Sequence, residues 1–465
     1  MRICYNKRKK MPSLNEKIFR AYDIRGIYPD DLDEKAAYQI GRAFAAYLLE
    51  SEAEKPEKII IGRDPRISSP ILARAFINGV IDAGLDVLDI GMVTVDAVYF
   101  ASGSMHLPAA MITASHNPKE YNGFKLMKKN VGLMGLDSGL NDIKKIIEGK
   151  QPLKSRKGAI VEKSVESEYL KHVLSFTEFD YIRPMRIAID ASSGSVGPVL
   201  KKVLEKLPIE YKPLNFKPDG DFPSHDPDPT KEKNLEDLKT EIKTGNHYSF
   251  GCAIDGDGDR IIFIDENGDV ISSSIMGAIM AKYFLKNNRG AKIVYGATVG
   301  KIVFDAVNAY GGIPLRERVG HTFIQRRLRE ENGIFGIETS GHYYFDDHFY
   351  SDSAVISFLT VLNILSSQNK RISVLAAEFN KYIAIPETSF NVENPDEFIK
   401  KIAQNFEGYE TDWLDGLTVR TSDFWLNLRP SNTEPLVRLN IEAKNELILE
   451  RVKRDVIDLI NKFKK

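Results

Sequence analysis

One unit recurs three times along this chain: an apolar strand, a turn of small or polar residues, a helix, and usually another strand. The copies open at Lys58-Ile-Ile-Ile-Gly62-Arg63-Asp64, at Arg186-Ile-Ala-Ile-Asp-Ala191 and at Lys292-Ile-Val-Tyr-Gly296. Their helices are expected over Ser69 to Gly84, Gly197 to Leu207 and Val299 to Tyr310. Alternation of strand and helix builds parallel or mixed sheets with helices on both faces, so three α/β domains of similar design are predicted. The stretch from about residue 381 departs from this pattern. It carries a helix at Asp396 to Asn405, two strand runs on either side of Arg429 to Pro435, and a charged helix from Glu446 to the end, an α+β module. The expected division is a basic tail over 1–15, α/β domains over 16–155, 156–268 and 269–380, and the α+β domain over 381–465.

A chain of 465 residues with 43% hydrophobic and 28% charged residues has an ordinary globular composition. Its 64 basic and 65 acidic residues nearly cancel, so no global field draws it to nucleic acid or to a membrane surface. Cys4 and Cys252 cannot form a disulfide framework, and a reducing, cytoplasmic setting is expected. The Lys7-Arg8-Lys9-Lys10 run is followed by no apolar core, unlike a secretory signal. The longest apolar-leaning run, Ala354 to Leu365, is too short to cross a bilayer and suits a buried helix.

The densest chemistry lies at Asp255-Gly-Asp257-Gly-Asp259-Arg260, between the apolar runs Phe250–Ile254 and Ile261–Ile264. Carboxylates this crowded repel one another, by about 4 kcal/mol for a pair ~4 Å apart at an effective dielectric near 20. A hard divalent cation of the Mg²⁺ type relieves that repulsion, with carboxylate oxygens as its natural ligands, and a solvated acidic turn is the plain alternative. A calcium EF-hand also fits Asp255, Asp257, Asp259 and, at its twelfth position, Glu266. It fails at the sixth, where Arg260 replaces the required glycine.

Three further clusters stand out. In Thr113-Ala114-Ser115-His116-Asn117-Pro118 an apolar strand delivers Ser115 to a loop at its C-terminal end. The same residues read as a plain turn, and the flanking glycines of a hydrolase elbow are missing. A phosphorylated Ser115 would be a dianion able to complete the aspartates' cation site. Lys125, ten positions on, suits a proton shuttle or phosphate anchor. In Gly336-Ile-Glu338-Thr-Ser340-Gly-His342, Glu338 and Ser340 are two apart and in an extended loop point the same way, a pair able to hold neighbouring sugar hydroxyls. A hairpin edge is the alternative there, and His321 lies upstream. In Arg429-Pro-Ser431-Asn432-Thr433-Glu-Pro435, with Arg438 beyond, hydroxyls, an amide and arginines describe a phosphate clamp, or a turn between strands. Near the N-terminus, Arg20 would help balance the charge of a phosphoserine and three carboxylates.

These four motifs, in this order, resemble those of the α-D-phosphohexomutases, in the phosphomannomutase/phosphoglucomutase branch. The resemblance runs from about Phe19 to Ala443. It implies four domains around a central cleft and a phosphoryl group on Ser115. It implies Mg²⁺ bound by Ser115, Asp255, Asp257 and Asp259. Glu338 and Ser340 are then expected to hold sugar hydroxyls, and Arg429, Ser431, Asn432 and Thr433 the distal phosphate. Lys125 and His342 match positions implicated in proton transfer, Arg20 in the charge environment, and His321 and Arg260 lie near the sugar phosphate. The implied reaction interconverts hexose 1-phosphate and hexose 6-phosphate, of mannose, glucose or both, with hexose 1,6-bisphosphate as intermediate and activator. A phosphoglucosamine mutase and a non-catalytic sugar-phosphate-binding protein are the alternatives. The expected partners are small sugar phosphates, with the chain a monomer or homodimer.

Overall fold

The structure, a computed structural model, describes residues 15–149, 157–245, 247–431 and 436–463. Most of the basic tail, together with Asn432 and Thr433 of the predicted clamp, lies outside the described residues.

The three repeats share one topology. In each, two parallel strands flank a helix, a third strand runs parallel beside the first, and a fourth returns antiparallel beside the third. In the first domain these strands are Lys58–Arg63, Asp86–Met92, Ala109–Ile112 and Tyr121–Lys128. The second uses Met185–Asp190, Ile209–Leu214, Phe250–Ile254 and Ile261–Ile264. The third uses Lys292–Gly296, Ile313–Glu317, Phe335–Ile337 and Tyr343–Phe345. Each opening strand has an apolar run of three at its centre, residues 59–61, 187–189 and 293–295, buried as a central parallel strand is.

The three repeat helices are shorter than expected: Ser69–Asp82, Gly197–Leu204 and Lys301–Ala309. The first stops because Gly84 takes φ +95°, a backbone the helix cannot continue through. In the second and third, bonds of the three-residue type close the last turn, from Leu207 to the Leu204 carbonyl and from Gly311 to the Asn308 carbonyl. The last domain is an antiparallel sheet of six strands with the helices Pro395–Ala403 and Glu446–Phe463 packed on its apolar face. Its first helix ends two residues before Asn405 and passes into a short 3₁₀ turn at Gln404–Phe406.

The apolar run at 354 forms the helix Ala354–Gln368, buried along nearly its whole length. It joins the second and third domains in one continuous core, with Phe250 and Phe358 rings 6.1 Å apart. The first and last domains have cores of their own. No helix among the described residues is long and apolar enough to cross a membrane.

Candidate active site

The internal repeat decides where the chemistry falls. In all three α/β domains the loop between the third strand and its antiparallel neighbour carries a motif: 113–120, 255–260 and 338–342. These three equivalent loops meet. Ser115 Oγ donates to Asp255 Oδ2 at 2.7 Å, across 140 positions of sequence. Lys125 Nζ, on the strand leaving the first loop, donates to Asp257 Oδ2 at 2.8 Å and Asp259 Oδ2 at 2.5 Å. His342 Nε2 stands 3.2 Å from Asp259 Oδ1. The Ile261 N–H donates to the Gly341 carbonyl at 3.0 Å, fastening the second loop to the third.

Local chemistry shapes each loop. Ser115 has φ +50°, a costly conformation for a residue with a Cβ, and its surroundings hold it there. Its N–H donates to Thr113 Oγ1 at 2.8 Å. Arg66 is fully buried beneath it and donates to four backbone carbonyls of this loop, those of Ser115, Asn117, Pro118 and Tyr121. Asp64 orients that guanidinium through Nε at 3.0 Å and also accepts from Thr113 Oγ1 at 2.8 Å. In the acidic loop, Asp255 Oδ1 accepts the N–H groups of Gly258, Asp259 and Arg260 at 3.0–3.2 Å. Gly258 takes φ +85° there. At Gly256 a Cβ would sit 2.7 Å from the Ser115 carbonyl, so only glycine lets the two loops touch.

The third loop is a tight turn, not the extended segment expected. The Glu338 N–H donates to the His342 carbonyl at 3.0 Å, and that of Gly341 to the Glu338 carbonyl at 3.2 Å. Glu338 and Ser340 still converge, on His342 Nδ1, at 3.7 Å and 2.7 Å. Glu338 also accepts from the Gly320 N–H at 3.1 Å and from the Tyr344 hydroxyl at 2.5 Å. This sets it beside His321, the first residue of the helix His321–Glu330.

Asp255, Asp257 and Asp259 are buried with one oxygen of each within 4.8 Å of the others. Burial, with the negative Asp259 and Asp257 beside it, pushes Asp255 well above the usual carboxylate range. Asp259 goes the other way: burial opposes ionisation, but Lys125 and His342 outweigh it. For Lys125 burial also works against the charge, and the two aspartates overcome it and hold the ammonium. His342 is raised in the same way, chiefly by Asp259 against burial. His321 is pushed down to about 3, by burial first and then by the charges of Lys125 and His342. Asp257 Oδ1 is buried without a hydrogen-bond partner, and Asp259 Oδ1 has only His342 Nε2 beside it, at 3.2 Å. Three hard oxygen donors in one small space, one of them with an orphaned oxygen, fit a divalent cation. Arg260, its Nε buried and unpartnered, adds positive charge at the loop's end.

Arg20 is half-buried, and its N–H donates to the Asp23 carbonyl at 2.8 Å; its side chain makes no hydrogen bond or ion pair among the described residues. Arg429 and Arg438 lie in a separate cluster on the last domain. They are cross-strand neighbours on Phe424–Pro430 and Leu436–Ala443, and both donate to Glu387, at 3.2 and 2.7 Å. Burial pushes Glu387 up, but Arg429 and Arg438 outweigh it and hold its carboxyl down. The Ser431 N–H donates to the Leu436 carbonyl at 2.9 Å, at the mouth of the hairpin.

Sequence reasoning missed Arg66, Glu387 and Asp352. Asp352 is buried beside His342, 3.9 Å from Nε2, with neither oxygen hydrogen-bonded. Its only signal was a polar Ser351-Asp352-Ser353 triplet ahead of an apolar helix. Arg66 follows the end of a buried strand, where a lone arginine gives no hint of its burial.

The four domains match, in order, the models for the phosphoglucomutase/phosphomannomutase α/β/α domains I, II and III and C-terminal domain, over residues 16–154, 167–268, 272–382 and 387–459. The chain belongs to the phosphoglucomutase/phosphomannomutase family, within the α-D-phosphohexomutases. It is 35% identical to a phosphomannomutase of Methanocaldococcus jannaschii over 450 residues, covering 96% of this chain and 98% of that protein. It is 34% identical to a phosphomannomutase of Escherichia coli K12 over 457 residues, covering 95% and 98%. A phosphoglucomutase/phosphomannomutase family protein of Burkholderia thailandensis superposes with a TM-score of 0.87 at 29% identity, over 96% of this chain and 98% of that one. Its chemistry is accordingly of the phosphohexomutase type, an isomerisation.

Proposed function

We propose that the chain interconverts hexose 1-phosphate and hexose 6-phosphate, with mannose, glucose or both as the sugar, through a phosphorylated Ser115 and a hexose 1,6-bisphosphate. The observation that carries this reading is the 2.7 Å contact between Ser115 Oγ and Asp255, inside a buried carboxylate cluster. Groups able to take the hydroxyl proton stand beside the serine: Asp255 accepts from Ser115 Oγ at 2.7 Å, and His116 Nδ1, an imidazole that burial and then Arg260 and Arg25 push well below its ordinary range, lies 3.2 Å away. A phosphoryl donor and acceptor is well served there.

In this reading the Ser115 Oγ–P bond breaks as the oxygen of the free sugar hydroxyl takes the phosphoryl group, and the proton that hydroxyl releases balances the one the leaving Ser115 Oγ takes up. The bisphosphate then turns over in the site, and its other phosphoryl group returns to Ser115. Ser115, Asp255, Asp257 and Asp259 would hold Mg²⁺, which when bound offsets negative charge on the transferring group. Lys125, an ammonium between Asp257 and Asp259, suits donation to an oxygen leaving as anion rather than abstraction of a proton. Glu338, oriented by the Gly320 N–H and the Tyr344 hydroxyl, and Ser340, beside His342 Nδ1, would hold two adjacent sugar hydroxyls. His321 and Arg260 would lie along the sugar phosphate, with Arg20 adding positive charge at the rim. Arg429, Ser431, Asn432, Thr433 and Arg438 would grip the phosphate that is not reacting. Support for motion of this clamp comes from the last domain's separate core and its mostly polar contacts to the third domain, such as Arg316 to Asp412 at 2.8 Å and Lys301 N–H to Glu442 at 2.8 Å. The names of the relatives above favour mannose among the substrates.

The test is a coupled assay on mannose, glucose and glucosamine 1-phosphates with a trace of glucose 1,6-bisphosphate, paired with intact-mass analysis. Ser115→Ala is expected to lose steady turnover and one phosphate of mass. Full activity in that variant overturns the scheme.

A further inference from the structure

The two clamp arginines do not stand free. Glu387 lies just before the strand Thr388–Asn391, which pairs with Leu436–Ala443. Its Oε1 accepts from Arg438 at 2.7 Å, and its Oε2 from Arg429 and Asn440, each at 3.2 Å. Arg438 and Asn440 are two apart on one strand and so share a face. Arg429 is directly opposite Arg438 across the ladder. The buried Val437, Leu439 and Ile441 alternate with them toward the helices, which leaves the arginines on the helix-free side of the sheet.

Each guanidinium carries five donors in a fixed fork. Glu387 takes one from each arginine, and Nε of both Arg429 and Arg438 is buried with no partner. The carboxylate therefore aims the pair and cancels one of its two charges, while leaving donors over for an oxyanion.

We infer that Glu387 is a positioning residue that sets the strength of this clamp: it lowers the grip of Arg429 and Arg438 on a phosphate so that a bisphosphate can be released and turned within each cycle. The inference rests on the reading of Arg429 as part of the substrate-phosphate site. A pair with net charge +2 would hold a phosphate dianion more tightly than one with net charge +1, and each cycle requires that phosphate to leave and be replaced by the other.

The experiment uses the full chain and inorganic phosphate as a competitive probe, with KM and kcat measured on glucose 1-phosphate and mannose 1-phosphate. Glu387→Gln keeps the shape and one acceptor but removes the charge. Its inhibition constant for inorganic phosphate is expected to fall by about five-fold, the effect of one unit charge a few ångströms away in a partly solvated site. KM should fall with it, and kcat should fall too. Glu387→Asp, which retains the charge, should stay near the parent. An inhibition constant unchanged or raised in Glu387→Gln overturns the inference, because a merely structural glutamate would splay the arginines and weaken phosphate binding. Arg429→Ala separates the two levels. If it leaves phosphate inhibition unchanged, the clamp itself is misplaced. If it weakens inhibition while Glu387→Gln fails to strengthen it, only the role of Glu387 falls.

Discussion

Lys125→Met probes the charge balance of the site without reference to turnover. The ammonium makes two buried contacts, 2.8 Å to Asp257 and 2.5 Å to Asp259. Removing one partner of such a group strands the others, at a cost of about 3–5 kcal/mol. For a cooperative unit of about 150–250 residues, the size of one or two of these domains, each kcal/mol moves the melting temperature by about 2–4 °C, so a fall of roughly 10 °C is expected in EDTA at pH 8. The stranded aspartates can recover part of this by taking up a proton. A carboxylate whose pKa is raised in the folded state holds a proton that the unfolded chain has lost. Stability then rises as pH falls through the folded value, until the unfolded value near 4 is reached. The variant should therefore melt progressively higher between pH 8 and 5, more steeply than the parent. Added Mg²⁺ should raise its melting temperature more than the parent's, since no ammonium competes for the carboxylates. Differential scanning calorimetry over pH, with and without Mg²⁺, measures all three. A variant that melts within 2 °C of the parent in EDTA, with the same pH slope, would refute the charge argument.

Three other outcomes follow from the geometry. Asp96 is buried and pushed up to about 6 by burial, although Ser353, Thr94 and Tyr169 all donate to it. It therefore costs stability as pH rises from about 4 to about 6, up to about 3 kcal/mol above that window, and urea titrations should show this slope removed in Asp96→Asn. Arg66→Lys keeps the charge but cannot reach four carbonyls at once, so a loss of ten-fold or more in kcat with KM little changed is expected. Arg66→Ala with added guanidinium ion should recover part of that loss. Chelation should abolish turnover, Mg²⁺ should restore it, and isothermal titration should show Asp257→Asn binding Mg²⁺ at least ten-fold more weakly.

The repeat was legible because apolar strands that alternate with amphipathic helices leave a strong periodic trace. The three aspartates were legible for a different reason, since their crowding made no sense as packing, whereas Ser115 in a plain turn sequence and the lone Lys125 stood out only beside that cluster and in the ordered set of motifs. Helix ends were less so, because the last turn depends on backbone geometry at residues such as Gly84. Glu338 and Ser340 illustrate a limit of pattern reading. Their spacing suggested a shared direction in an extended loop, but they lie in a hydrogen-bonded turn and each comes near one neighbour, His342 Nδ1, at 3.7 and 2.7 Å. Arg66 and Glu387 were illegible because their role is to hold other residues. Such a role requires knowing which carbonyls or guanidiniums lie within hydrogen-bond reach, and no local pattern encodes that.

Because the three equivalent loops each bring only a fraction of the buried polar cluster, no single domain contains the whole of it. During synthesis the serine is made first, its aspartyl neighbours about a hundred and forty residues later, and the histidine after another eighty or so. On the proposed reading, the nascent chain would stay inert toward phosphorylated sugars until its third repeat has emerged and docked, and a break in a linker between the domains would disarm the whole assembly.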